Sequence, residues 1–322
     1  MSDNRNSDAS NHEAHIPVLL QAILDHLVPE DNLPDCLIDG TLGAGGHTQA
    51  FLDAGVPTVL GLDRDLQAIN IATKRLSSYG DRIQIAHSSY LDMKTEAIKH
   101  GWDGVDAILL DLGVSSMQLD TAERGFAFMQ DGPLDMRFDP TSEQPPASEL
   151  VNQWDADDLT EIFYKYGEER HSRRIAQFIV KNRPYETTSQ LADIIKQAVP
   201  RKRPQKGKKT SRIHPATRVF QALRIAVNDE LSTLEKTLPI AIDLLKSGGR
   251  LGVISFHSLE DRIVKHYFKD ASTEVVSPPG MMLEEKSAIV RLINRKPIIA
   301  TETEIRDNPR SRSAKLRIVE KL

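Results

Sequence analysis

From His15 to Val28 apolar residues recur at helical spacing, with Ile16, Leu19, Leu20, Ile23 and Leu27 on one face and Pro17 where a first turn tolerates it. The rhythm then changes to short apolar runs, Cys36 to Ile38, Val59 to Leu62, Arg82 to Ile85 and Val105 to Leu110, separated by helix-compatible stretches. That alternation predicts βαβ units and a parallel sheet. From about Leu119 to Val199 the strand pattern disappears. Leu159, Ile162, Phe163, Tyr166, Ile175, Phe178 and Ile179 keep a broken helical rhythm, which predicts an all-helical insertion. A basic loop, Pro200 to Arg212, follows, and helices return from about Pro215 to Leu245. Ser247 to Arg250 then predicts a turn into a buried strand, Leu251 to Phe256, and the alternating Lys315 to Val319 predicts a last strand at the sheet's edge.

The expected organisation has three parts. Residues 1–14, rich in Asp, Asn and Ser, form a disordered tail. Residues 15–118 and 231–322 build one discontinuous α/β domain, and residues 119–230 form the helical insertion with its basic loop at 200–212. A length of 322 residues accommodates this arrangement. With no run of some 18 apolar residues and no signal-peptide pattern, a cytoplasmic protein without a membrane partner is expected. The single cysteine, Cys36, excludes an internal disulfide and a cysteine metal cluster; it reads as a buried inert thiol, and no metal is expected. A formal net charge of −5 weighs against phosphate binding by the surface as a whole. Contact with nucleic acid therefore falls to local clusters: the basic loop, Arg170, Arg173 and Arg174, and Arg310 and Arg312.

The candidate chemistry begins directly after the first strand, in Asp39-Gly40-Thr41-Leu42-Gly43-Ala44-Gly45-Gly46-His47. Glycines there let the backbone turn and approach a ligand closely. Asp63, ending the second strand, is placed to accept both ribose hydroxyls of an adenosine. Counted from Gly43, the dinucleotide fingerprint finds its third-position glycine in Gly45 but has Thr48 at the sixth. Asp39 at the strand tip would repel a pyrophosphate and attract the ammonium and sulfonium of S-adenosylmethionine, so the charge pattern favours the methyl donor. Tyr90, past the third strand, is placed to flank an adenine. Asp111 ends the fourth strand, so three acids reach the carboxyl edge, where open α/β sheets bind ligands.

These strings, together with Glu123 to Phe126, Asp131 to Arg137, Tyr166 to Arg170, His214 to Arg218 and Ser255 to Arg262, closely resemble the bacterial 16S rRNA cytosine-N4 methyltransferases of the MraW type. The resemblance runs from about His15 to the C-terminus. It implies a class I, Rossmann-like S-adenosylmethionine-dependent methyltransferase sheet with an inserted helical substrate-recognition subdomain. It also implies a substrate cytosine in the decoding centre of the small ribosomal subunit. Carried over by position, the family's donor site falls on Gly45, Gly46, His47, Asp63, Tyr90, Asp111 and Gln118. Tyr90 departs in type, since the family often has Phe there, and the basic loop is longer than the family's. The partners so implied are 16S rRNA and the small subunit, with a second copy of the chain as a further candidate.

The amino nitrogen of cytosine is a poor nucleophile, so acceptors that grip its hydrogens are needed to free the lone pair. Amino methyltransferases of DNA use an Asp/Asn-Pro-Pro-aromatic string; here Asp111-Leu112-Gly113-Val114 has neither proline nor ring. Asp111 is the candidate acceptor, although it could serve the donor alone. Phe256 and His257 are candidates to hold the base. A ribosome-assembly factor without catalysis and a nicotinamide-dependent oxidoreductase are the alternatives.

Overall fold

A computed structural model describes residues 17–200, 214–275 and 285–322. The whole of the expected tail, 1–14, and the basic loop from Arg201 onward lie outside the described residues. The chain runs α1 (Leu20–Leu27), β1 (Cys36–Asp39), α2 (Gly46–Asp53), β2 (Thr58–Asp63), α3 (Leu66–Leu76), β3 (Ile83–His87), α4 (Met93–Lys99), β4 (Val105–Asp111) and α5 (Ser116–Asp120). Five helices follow: α6 (Ala147–Gln153), α7 (Ala156–Lys165), α8 (Ser172–Lys181), α9 (Thr188–Ala198) and α10 (Ala216–Asn228). Then come α11 (Glu230–Leu244), β5 (Leu245–Ser255), α12 (Ser258–Ala271), β6 (Val290–Leu292), α13 (Glu302–Asp307) and β7 (Lys315–Lys321).

The seven strands form one sheet in the order β3-β2-β1-β4-β5-β7-β6. The strands from β1 to β5 pair in parallel, and β7 runs antiparallel to both β5 and β6. This is a Rossmann-like sheet, α/β as the sequence predicts. Alternate residues of each central strand feed opposite faces. Leu37, Val59, Ala107 and Leu109 pack with α1 and α2. Ile38, Leu60, Ile108 and Leu110 pack with α11 and α12. A separate core joins α6 to α10 through Leu159, Phe163, Ile175, Leu191 and Leu223.

Several expectations need correction. The first helix begins at Leu20, because Leu19 adopts a left-handed conformation (φ 55°) and Pro17 precedes the first turn. The strand β7 is not at the edge: the three-residue β6 covers it, too short to leave a pattern in sequence. The predicted turn at 247–250 is a bulge inside β5, where Gly248 takes φ 81° and the register with β4 slips. Cys36 opens β1 half-buried, and Thr58 Oγ1 lies 3.5 Å from its sulfur.

Candidate active site

The site is built where β1 lies between β2 and β4, since the chain leaves this point in opposite directions and opens a crevice at the strands' carboxyl ends. The loop after β1 is pinned to both neighbours: Gly40 N donates to Leu109 O at 2.9 Å and Leu42 N to Leu62 O at 2.9 Å. Gly43 (φ 52°) and Gly45 (φ 79°) both occupy the left-handed region, which disfavours any side chain. This conformation turns Gly43 N onto Asp63 Oδ2 at 2.7 Å. The glycine loop and the acid that ends β2 therefore form one unit.

Asp39 is buried, accepting from Thr48 Oγ1 at 2.7 Å and Thr41 N at 3.2 Å. Burial raises its pKa to about 6 against these two hydrogen bonds. Asp63 accepts from Gly43 N and Asp65 N, leaving lone pairs free on both oxygens. Burial again dominates and lifts Asp63 to about 6, with Asp65 and Asp39 adding repulsion. Asp111 is pushed well above the carboxylate range by burial, then by Asp39 and Glu260. Its Oδ1 is buried without a hydrogen-bond partner.

His47 faces Asp111, with Nδ1 3.7 Å from Oδ2. Its Nε2 lies 3.0 Å from Val18 O, an acceptor, so Nε2 carries the proton. Burial lowers the ring's pKa to about 4 and keeps it neutral. A bare Nδ1 lone pair thus points at Asp111, which favours a protonated carboxyl there unless a cation lies beside it. The charges that add to burial in raising Asp63 and Asp111 are other acids, Asp65 and Asp39 on the first and Asp39 and Glu260 on the second.

Behind this cleft Asp65 caps α3 and takes a buried ion pair from Arg124 Nη1 at 2.6 Å. Gln118 Nε2 donates to the same Asp65 oxygen at 2.8 Å, and its Oε1 accepts from Ser115 N. Arg124 also donates to Arg137 O and Phe138 O, tying the loop beyond α5 to the sheet. Tyr90 packs against Gly40, where an added Cβ would lie 3.1 Å from its own. Burial pushes its phenol up, and Glu230 and Glu260 add to this.

On the far side, Arg224 Nε and Nη2 donate to the two oxygens of buried Glu230 at 2.8 and 2.9 Å. Glu260 accepts from Phe256 N at 2.8 Å and His257 N at 3.2 Å. Burial opposes its charge, but His257, Arg224 and the Phe256 amide outweigh that and hold the carboxyl below its usual range. Glu230, His257 and Glu260 bring metal-ligand atoms within 4.8 Å of one another. Arg224 already supplies the positive charge there.

The structure thus gathers Asp39, Gly43, Gly45, Gly46, His47, Asp63 and Asp111 around one crevice, with Tyr90 on its flank. Gln118 stands a layer behind, its amide engaged with Asp65 and Ser115. His257 caps α12, Nδ1 accepting from Glu260 N at 3.4 Å, and its Nε2 lies 3.1 Å from Glu260 Oε1 but poorly aligned. Asp135 and Arg137 pair with each other at 2.8 Å. Arg170, Arg173 and Arg174 are exposed, whereas Arg310 pairs with Asp120 at 3.0 Å. Sequence reasoning missed Asp65, Arg124, Arg224, Glu230 and Glu260. The Asp at the start of α3 carried an N-cap signal that could have located Asp65; the others depend on contacts remote in sequence.

Residues 12–322 match the sequence profile of the MraW methylase family. The chain is 49% identical over 316 residues to the ribosomal RNA small subunit methyltransferase H of Pelobacter propionicus, spanning 96% of this chain and 98% of that one. It is 49% identical over 315 residues to the methyltransferase of that name from Geotalea uraniireducens, with the same coverage of both chains. An rRNA methylase structure from Streptococcus thermophilus is similar at 12% identity, with a TM-score of 0.43, covering 96% of this chain and 99% of that one.

Proposed function

Since the chain belongs to the MraW methylase family, we propose that it transfers a methyl group from S-adenosylmethionine to the N4 amino group of a cytosine in the decoding centre of 16S rRNA. It is an S-adenosylmethionine-dependent rRNA methyltransferase. The observation that carries the donor site is the set of three strand-tip carboxylates, Asp39, Asp63 and Asp111, all raised chiefly by burial, with other acids raising Asp63 and Asp111 further. Such a pocket costs free energy when empty and suits a ligand that brings its own positive charge. A pyrophosphate there would add like charge, which sets the oxidoreductase alternative aside.

Each residue then has a role. Gly43, where an added Cβ would meet nothing nearer than 3.9 Å, would leave room for the donor's amino-acid chain, while Gly45 and Gly46 let the loop pack closely on α3 and Pro17. Asp39 would face the ammonium, Asp63 would accept from the ribose hydroxyls and Tyr90 would flank the adenine. Gln118 acts through Asp65, and His47 limits the orientations open to Asp111. Bound S-adenosylmethionine supplies a methyl group on a sulfonium whose charge is discharged by the displacement. Asp111 Oδ1, buried and unpaired, accepts a hydrogen of the cytosine amino group, frees the nitrogen's lone pair and takes the proton that the nitrogen sheds. A raised pKa suits a base of this kind. His257 orders the start of α12 beside the base. The helical layer, 119–230, carries substrate recognition, and 15–118 with 231–322 carry the donor. Among the described residues no helix is long and apolar enough to cross a membrane.

The test is Asp111→Asn, assayed on small subunits from cells lacking the modification, with the product mapped by mass spectrometry. The rate of transfer should fall by roughly 100-fold or more while donor affinity stays within a few-fold. Near-normal turnover would remove Asp111 from the chemistry, and a modified position other than a cytosine amino group would overturn the assigned acceptor.

A further inference from the structure

A second cleft opens on the same carboxyl edge, across β5 from the donor site. It holds about 290 Å³, and its lining includes Phe256, His257, Ile299, Ile305, Arg312 and Lys315. Its distance from the chemistry follows from the sheet register. Asp111 pairs with Ile254, which pairs in turn with Leu316, and Ser255 pairs with Lys315. Neighbouring strands are about 4.8 Å apart, so a cleft between the ends of β5 and β7 lies one to two strand spacings, roughly 5–10 Å, from Asp111. Phe256 lines the cleft and also approaches the loop that follows β4 and Asp111: a Cβ placed on Gly113 would lie 3.6 Å from Phe256 Cδ2.

The walls are fixed and the lining is unusual. Ile298 N donates to Leu316 O at 2.9 Å, and Glu304 Oε1 accepts from Leu19 N at 2.7 Å, so the 298–315 strap is fastened to the sheet and to α1. Yet Ile299 leaves 64% of its surface exposed. Beside it Arg312 is exposed and has no acidic partner among the described residues. The neighbouring cations differ: Arg310 is paired with Asp120, and Lys315 and Arg317 with Asp261.

The geometry points to this cleft as the subsite for the nucleotide next to the target cytosine, its base against Phe256 and Ile299 and its phosphate on Arg312. The inference rests on the rRNA reading above. Drawing one base out of a stack leaves its neighbour without a stacking face, and a rigid aromatic and aliphatic floor replaces that face. A single unpaired guanidinium at the rim matches a single phosphate. The volume, near the lower bound of about 300 Å³ for ligand sites, suits one base.

Three variants test this on small subunits from cells lacking the modification: Arg312→Ala, Arg312→Lys and Ile299→Glu. Both positions are exposed, so unchanged melting temperature and unchanged S-adenosylmethionine affinity are expected and measured first. Arg312→Ala should raise KM for subunits roughly five- to tenfold with kcat preserved, and reduce the salt slope of log kcat/KM by about one. Arg312→Lys should restore the slope, and Ile299→Glu should raise KM at least as far as Arg312→Ala. Wild-type KM and slope in both Arg312→Ala and Ile299→Glu overturn the subsite while leaving the methyltransferase reading intact. A raised KM with an unchanged salt slope overturns the phosphate contact, and so the subsite, in favour of a protein surface on the subunit. Failure of the wild-type enzyme to modify subunits despite binding the donor overturns the underlying reading and the subsite with it.

Discussion

Acidification should release the methyl donor, and the structure sets where and by how much. In the ligand-free protein Asp39 and Asp63 both stand near pKa 6, raised from 3.8 mainly by burial. A cation in the crevice favours their charged forms and lowers both values, so the complex binds fewer protons than the free protein. Binding therefore strengthens as pH rises and is lost as pH falls through about 6. At pH 5 each group is roughly one-tenth ionised, so affinity should drop roughly 100-fold between pH 7.5 and 5 if both charges are needed. Near pH 6 each carboxyl is half-protonated, and binding should expel about one proton from the pair. Calorimetry in two buffers of different ionisation enthalpy reads both quantities. The fold persists during the titration, because acids raised in the native state stabilise it as they protonate. S-adenosylhomocysteine, lacking the sulfonium charge, should show a shallower dependence. Equal affinity at pH 5 and 7.5, or heats that ignore the buffer, would refute the charge argument.

The same reasoning reaches stability. Asp39→Asn removes a buried charge while an amide can still accept from Thr41 N and donate to Thr48 Oγ1. Ligand-free protein should gain about 1–2 kcal/mol at pH 7.5, the gain should fade by pH 5, and donor affinity should fall about tenfold; a denaturant midpoint that does not rise would contradict this. Arg124→Met strands Asp65 as an unpaired buried charge, costing about 3–5 kcal/mol and lowering Tm by at least 5 °C. A smaller drop would show that Gln118 and Gln67 suffice to hold that carboxylate. Deleting Arg201 to Lys209 should weaken RNA binding and flatten its salt dependence, and an unaltered slope in filter binding would exclude phosphate contact by that loop.

Much of the candidate site was legible because its residues sit at ends of strands that the apolar pattern had already located. Asp39, Asp63 and Asp111 each close such a run, so the fold class and the converging acids came from one signal. Local sequence was silent where partners are distant. Nothing near Arg124 announces Asp65, and nothing near Arg224 announces the neighbourhood of Glu260, since these contacts exist only once α10, α11 and the sheet have packed. Gln118, assigned to the donor by the family resemblance, has its amide engaged with Asp65 and the Ser115 cap, contacts that the sequence did not announce. The edge position expected for the last strand failed for another reason. A strand of three residues lacks the length to display alternation.

The neighbours β4 and β5 meet only across some 140 positions of chain, Val105 lying against Leu245. On a growing polypeptide the strand bearing Asp111 emerges long before its companion, with one row of amides and carbonyls bare and apolar side chains on both faces. Closing so long a loop is slow, and a naked edge of this kind invites pairing with other nascent chains. The helices synthesised in the interval carry a core of their own, so they can condense first and shorten the effective span. Biogenesis of this enzyme therefore turns on whether that helical layer forms before the waiting strand finds a stranger.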